Sequence, residues 1–288
     1  MQSTAAIAEC FQRVAPAGSD LYYATLWCDT QTRAQIVSVH ALIDELISIA
    51  RARSDPGVAR IKLAWWKEEL ARVLAGAGNH SVSIALRATG ALGMAEPEIS
   101  PDIADICAAW LMPRRFPDLA SLYAEFRNLE GALWRHTAGL LGATDKGMLD
   151  AAATAGVAIG LIQTLQQFRE SIHLPTLRLP EDILAARGLT VDSLREAATP
   201  TAIAAMANDL ATQIRSLVGD TQSALLIAGQ RQLLPLRIML ELKLKALDEM
   251  QMDGFALMQR RIELTPLRKL WIAMLCRHRD RWRWNSRP

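Results

Sequence analysis

The sequence predicts an all-α protein folded as a single domain, and three observations carry that prediction. Apolar residues recur at helical spacing through nearly the whole chain, and no run of alternating β-branched residues sits between hairpin turns. Residues that start and stop helices punctuate the chain often, with short connections between them. No Pro- or Ser-rich linker and no repeat of solenoid period divides it. The 288 residues are 51% apolar and 22% charged with a net charge of +2, which suits one large hydrophobic core and excludes disorder.

Taken in order, Thr30 or Thr32 caps a helix that reaches about Ala52. Asp55-Pro56 opens the next, with proline in its first turn, and Gly76-Ala77-Gly78-Asn79 closes it. Ser100-Pro101 starts another that stops before Pro113. Asp118 starts a long helix to about Leu141, where Gly142 ends it, and a further helix covers about Lys146 to Ser171. Leu174-Pro175 and Leu179-Pro180 bracket an irregular connection, because a residue before proline leaves the helical region. Thr190 and Thr199-Pro200 cap two more helices, and the last stretches span about Leu233–Met250 and Pro266–Trp282. Roughly ten to twelve helices are expected by the criteria for helical bundles.

Familiar chemical motifs are missing: no G-x-S-x-G, no Walker A loop, no G-x-G-x-x-G after a strand, no H-E-x-x-H. Cys10, Cys28, Cys107 and Cys276 lie far apart and read as free thiols in a reducing compartment. The five histidines are isolated in sequence and read as packed or solvated, not as metal ligands. Gly156-x-x-x-Gly160 reads as close helix packing, and Asp102-x-x-Asp105 as a pair serving a helix dipole. The N-terminus has no basic region before its apolar part, and the longest nearly apolar run, Ala151–Ile162, is too short to span a bilayer. The expected location is therefore cytoplasmic.

Charge is uneven at one place. The last twelve residues, 277–288, hold five arginines, two tryptophans and one aspartate. Two readings of this tail stand. One is a solvated, frayed end. The other is an interfacial anchor, with Trp282 and Trp284 at headgroup level and Arg281 and Arg283 meeting anionic lipid, which places the protein at the inner face of a membrane. Nucleic acid is not expected as a partner, since the basic excess is confined to the tail.

Four segments in register resemble the squalene/phytoene synthase family. Ser19-Asp20-Leu21-Tyr22-Tyr23, with Arg33 and His40-Ala41-Leu42, resembles the family's opening "SFYYA…R…LYAF". Leu63-Ala64-Trp65-Trp66-Lys67-Glu68-Glu69-Leu70 is similar to its "L-x-W-W-x-E-E-L" helix. Gly160 to Leu165 and then Leu179-Pro180-Glu181-Asp182-Ile183-Leu184 are similar to the second conserved helix and its "YLP-x-D-L" exit. Met252 to Ile272 is similar to the C-terminal segment. The resemblance covers about residues 15 to 275. It implies the isoprenoid-synthase fold, a helical bundle around a central cavity, in a single domain over 1–288.

The resemblance also implies a chemistry. Family enzymes ionise a prenyl diphosphate with Mg²⁺ held by two Asp-rich motifs on facing helices. Carboxylates at i and i+4 share a helix face and reach the same ions. Here the first motif's acidic positions hold Ile47, Ser48 and Arg51. Asp44 and Glu45 lie a turn earlier, adjacent and therefore about 100° apart around the helix axis. At the second motif, Gln163 and Gln167, and Gln166 and Glu170, keep the i, i+4 spacing with amides in place of all but one carboxylate. Arg178 stands where the family has Tyr before Leu-Pro.

The paired losses resemble the family's non-catalytic branch, which includes the mitochondrial complex I assembly factor. The primary expectation is a pseudoenzyme with no cofactor. It would bind an isoprenoid or other lipid, or assist assembly of a membrane protein complex, through pocket residues Tyr23, Arg33, His40, Arg51, Gln163, Gln167 and Glu170. The alternative is an active transferase condensing prenyl diphosphates in squalene, hopanoid or carotenoid synthesis. Its Mg²⁺ would be held by Asp44, Glu45 and Glu170, with help from Glu68 and Glu69. A third reading is an interaction module with a filled core.

Overall fold

The computed structural model describes residues 2–52, 55–93, 99–196, 199–227 and 232–285, with side chains described except at 220–227 and 280–285. Fifteen α-helical segments and no strand occur among the described residues. They are α1 (Gln2–Val14), α2 (Asp20–Ala24), α3 (Thr30–Arg51), α4 (Pro56–Leu74), α5 (Ser81–Thr89), α6 (Ile103–Ala108), α7 (Leu119–Phe126), α8 (Ala132–Leu140), α9 (Lys146–Gln166), α10 (Phe168–Ser171), α11 (Glu181–Ala185), α12 (Val191–Glu196), α13 (Pro200–Ile227), α14 (Leu234–Met252) and α15 (Pro266–Asn285). A lone bridge pairs Phe116 with Pro180.

α9 is the central helix, packed against α8, α13 and α14. Its length and apolar composition would let it cross a bilayer, but 78% of its most apolar stretch is buried inside the protein. α1 packs on α3 and α5, α4 on α3 and α6, and α14 on α2 and α15. The cysteines form no disulfide among the described residues.

Local chemistry explains most helix ends. α3 starts at Asp29, whose carboxylate accepts from the Thr32 N–H, one residue before the expected Thr caps. α4 starts at Asp55 with Pro56 first, and α7 starts at Asp118 in a reciprocal capping box with Ser121, as the sequence predicts. α1 has no counterpart among the predicted helices. Its stripe of Ala6, Ile7, Cys10, Phe11 and Val14 nevertheless packs on the core.

Three predicted helices are interrupted. The stretch from Ser100 becomes α6 followed by a 3₁₀ turn at Ala109–Leu111. There Asp102 makes no side-chain cap. It and Asp105, in the first turn of α6 as the sequence predicts, also bind Lys67 of α4 at 3.0 and 2.5 Å, so they join two helices as well. Between α7 and α8 the backbone widens into a π turn at Arg127–Gly131. This turn lies on the glycine face of α9: a Cβ on Gly156 would come within 2.4 Å of the Glu130 carbonyl oxygen, and one on Gly160 within 2.6 Å of Phe126 Cδ1. The GxxxG spacing is thus a packing device that admits the wide turn. The helix expected over Lys146–Ser171 breaks at Gln167, which ends α9 before the short α10. That break buries Phe168 and leaves Gln167 on the wall of the central cavity.

Candidate functional site

A cavity of about 810 Å³ opens among α3, α9, α14, the π turn and the segment before α15, within the usual size of small-molecule sites. Helical spacing builds its walls. From α3 come His40, Ile43, Asp44, Ile47, Ser48 and Arg51, a single face at i, i+3, i+4, i+7, i+8 and i+11. From α9 come Ile159, Gln163 and Gln166, with Gln167 just beyond, and from α14 come Met239, Leu242, Lys243 and Ala246. Val14, Leu21, Leu133, Trp134 and Leu264 add apolar surface. The third reading, a filled core without a cavity, is therefore set aside.

Six cations (Arg13, Arg51, Arg178, Lys243, Arg261, Lys269) and four carboxylates (Asp20, Asp44, Glu130, Glu263) line this space. Every one of the carboxylates already has a cation. Asp20 is shared by Lys243 and Lys269 at 2.9 and 2.7 Å. Burial alone would raise its carboxyl, but the two lysines outweigh that and hold it below the usual range. Asp44 pairs with Arg13 at 2.7 Å, Glu130 with Arg178 at 2.7 Å, and Glu263 with Arg261 at 2.8 Å. The Arg178 guanidinium also lies 4.4 Å from the ring centres of Trp110 and Phe126. Glu130 Oε2 is buried with no hydrogen-bond partner.

Arg51 differs from the other cations. Its Nη1 donates to Gln167 Oε1 and its Nη2 to Ser171 Oγ at 3.0 Å, both neutral acceptors. Burial, with Arg178 nearby, lowers its guanidinium to about 10, so it stays charged at neutral pH. Gln163 and Ser48 face the cavity and make no side-chain hydrogen bond among the described residues. His40 stacks edge-on with Trp134 at 4.9 Å, and burial, with His136 adding to it, pushes its imidazole down to about 3. It is a neutral wall residue.

Of the residues singled out in sequence, His40, Arg51, Gln163 and Gln167 come together on the cavity wall. Tyr23, Arg33 and Glu170 do not line it. Tyr23 is buried edge-on against Tyr22. Arg33 lies over the rings of Phe11 and Tyr22 and donates to Thr25 Oγ1 at 3.3 Å, tying α1 and α2 to α3. Glu170 is exposed on α10 and reaches Arg51 only through space. Trp282, Trp284, Arg281 and Arg283 lie outside the residues whose side chains are described.

The acids proposed to hold Mg²⁺ do not share a site. Asp44 faces the cavity; Glu45, beside it, also binds Arg13. Glu68 and Glu69 project from α4 and pair with Arg72. No group of three His, Cys, Asp or Glu side chains able to hold a metal occurs among the described residues. The donor set at the two motif positions is a guanidinium, amides and hydroxyls, which does not fit Mg²⁺.

Sequence reasoning missed Asp20, Glu130, Lys243 and Lys269 as cavity residues. A signal existed for two of them. Lys243 interrupts the stripe Met239, Leu242, Ala246 and Met250, and Glu130 interrupts Phe126, Leu133 and Trp134, so each is a charge on an otherwise apolar face.

This architecture, a helical shell around a deep cavity with the ends of α3 and α9 facing across it, defines an isoprenoid-synthase-like fold. A model of the squalene/phytoene synthase family matches residues 14–268, and the chain belongs to that family. No curated relative matches by sequence. Among solved structures, a dehydrosqualene synthase in complex with ligand superimposes with a TM-score of 0.82 at 14% identity, covering 96% of this chain and 97% of the other. Squalene synthase HpnC from Alicyclobacillus acidocaldarius gives 0.71 at 15% identity over 88% and 95% of the two chains. YisP from Bacillus subtilis subsp. subtilis strain 168 gives 0.67 at 16% identity over 95% and 96%.

Proposed function

We propose that this protein is a non-catalytic member of its family that binds an isoprenoid or other lipid anion in the central cavity. The observation that carries the reading is the charge inversion of the wall: every carboxylate there is spoken for by a cation, and Arg51 occupies a position where the family motif has an acid. Mg²⁺ would supply neutralisation of a diphosphate leaving group. The residues present do not fit it, so no ionisation step is assigned to them. Assistance in assembling a membrane complex, as in the branch that includes the mitochondrial complex I assembly factor, is compatible with this reading.

Incubation of the purified protein with farnesyl diphosphate, with and without Mg²⁺ and NADPH, tests it. The expected outcome is no diphosphate release under either condition while the ester is retained on the protein. Mg²⁺-dependent release with a C30 product would establish the alternative, an active transferase.

We also propose that the protein works at the inner face of a membrane, as a peripheral protein on anionic lipid. α15 supports this. Leu267, Trp271, Met274 and Leu275 lie on one outward face, with Leu267 81% and Trp271 62% exposed, while Lys269, Ile272, Ala273 and Cys276 face inward. The helix carries six Arg or Lys and one acid, Asp280, which matches an anionic surface.

A further inference from the structure

Resting on the lipid-anion reading of the cavity, we infer that Arg51 anchors the ligand's headgroup. It grips the phosphate or diphosphate of an amphiphilic ester directly, without a metal ion.

Arg51 has an incomplete set of partners. A guanidinium carries five N–H donors, and Arg51 commits two, to Gln167 and Ser171. Both acceptors are neutral, so a half-buried cation is left without an ion pair among the described residues. Even partial burial of an unpaired charge is costly, and an anion arriving from solvent relieves that cost. Glu130 and Glu170 are near enough to act on Arg51 through space, but neither forms an ion pair with it.

Donors for such an anion are gathered around it. Ser48 lies one turn before Arg51 on the same face of α3, and Gln163 one turn before Gln167 on α9. Both present side-chain donors with no partner among the described residues. Guanidinium, amide and hydroxyl together suit the tetrahedral, multiply charged oxygens of a phosphate, and a guanidinium can engage two of them at once. Ile47 and Ile43 continue the same helix face beyond this cluster, where a hydrocarbon chain finds apolar contact. Ser48, Arg51, Gln163 and Gln167 stand at or beside the places where the family's resemblance puts metal-binding carboxylates. The cation that a metal would otherwise supply is therefore built into the chain.

Calorimetric titration in EDTA tests the inference, with farnesyl diphosphate, farnesol, farnesoic acid and inorganic diphosphate as probes. Farnesyl diphosphate is expected to bind roughly tenfold or more tightly than farnesol, since charge-assisted hydrogen bonds separate them. Replacing EDTA with Mg²⁺ is expected to change that affinity less than about twofold. Arg51→Gln is expected to abolish the preference for the diphosphate while leaving farnesol binding unchanged. Gln163→Glu, at a side chain with no partner to lose, is expected to weaken the diphosphate and spare farnesol, which guards against misfolding of the Arg51 variant. Equal binding of farnesol and farnesyl diphosphate would overturn the anchor and leave the lipid cavity standing. Equal binding of farnesoic acid would overturn the phosphate assignment, and a need for Mg²⁺ would overturn metal independence. Inorganic diphosphate bound as tightly as the farnesyl ester would remove the apolar contact from the argument. Failure of every probe to bind would overturn the cavity reading itself.

Discussion

Two regions of this molecule preserve family-like sequence, and they use their polar groups in opposite ways. In α4, within the run Trp65-Trp66-Lys67-Glu68-Glu69, the charges of Lys67 and Glu69 are committed to structure. Glu69 is buried, accepts from the Asn79 and His80 N–H groups at 2.7 and 3.1 Å, and pairs with Arg72 at 2.7 Å. Trp66 is buried against the His80 ring, and Lys67 bridges to α6. At the facing ends of α3 and α9, by contrast, Arg51, Ser48 and Gln163 hold donors that the fold leaves open to the cavity. A site is marked by polar groups that the fold does not use. A motif whose buried charge is fully partnered belongs to the framework, whatever its resemblance.

Breaking the framework side of this comparison should give the largest effect. Burial would raise the Glu69 carboxyl, but hydrogen bonds from the His80 amide, Arg72 and the Asn79 amide outweigh it and lower the group from 4.5 to about 2. A carboxyl lowered on folding stabilises the native state above its unfolded pKa and loses that contribution as pH falls through the folded value. Glu69→Gln should therefore cost about 3 kcal/mol at pH 7. The difference from wild type should shrink between about pH 4.5 and pH 2, as read by denaturant unfolding. A pH-independent difference would show that the charge of Glu69 is not what holds the Asn79–His80 turn.

A smaller but still structural effect is expected where the framework meets the cavity. Gly160→Ala places a methyl group 2.6 Å from Phe126 Cδ1 and 2.9 Å from Glu130 Cγ, closer than packed atoms approach. Relief requires the π turn to move, and with it the Glu130–Arg178 pair. The substitution should cost about 2 kcal/mol and weaken farnesyl diphosphate binding as well. Lost stability with unchanged binding would uncouple the π turn from the cavity.

The same distinction explains how much was legible in sequence. The all-helical fold and most helix starts could be read because caps such as Asp55-Pro56 and Asp118 act locally. The π turn could not, because it depends on Gly156 and Gly160 of a different helix. The break at Gln167 likewise reflects Phe168 entering the core and Arg51 bonding the Gln167 side chain, both long-range facts. His40, Arg51, Gln163 and Gln167 were legible as cavity residues because the family resemblance puts them at or beside its motif positions, and helix periodicity brings those positions to one wall. Arg33 looked the same in sequence, yet it serves the packing of α1 and α2, since its rings and acceptor come from other elements.

The outward face of α15 extends the comparison to the surface, where the expected stability effect is smallest. Leu267 and Trp271 are exposed, so replacing both with serine should change stability by no more than about 0.5 kcal/mol each. If the face meets a bilayer, the same double substitution should reduce sedimentation with phosphatidylserine-containing vesicles roughly tenfold, because two apolar side chains no longer enter the interface. Truncation of 277–288 should weaken vesicle binding further by removing five arginines, and salt should weaken wild-type binding, since screening acts on the charges and not on the apolar contact. Lys269, on the inner face of the same helix, lines the cavity and donates to the Gly18 carbonyl at 3.1 Å. A bilayer under the outer face of α15 would therefore lie one helix away from the central cavity. Vesicle binding that survives both the serine substitutions and the truncation would detach the cavity from the membrane and leave the exposed face without this role.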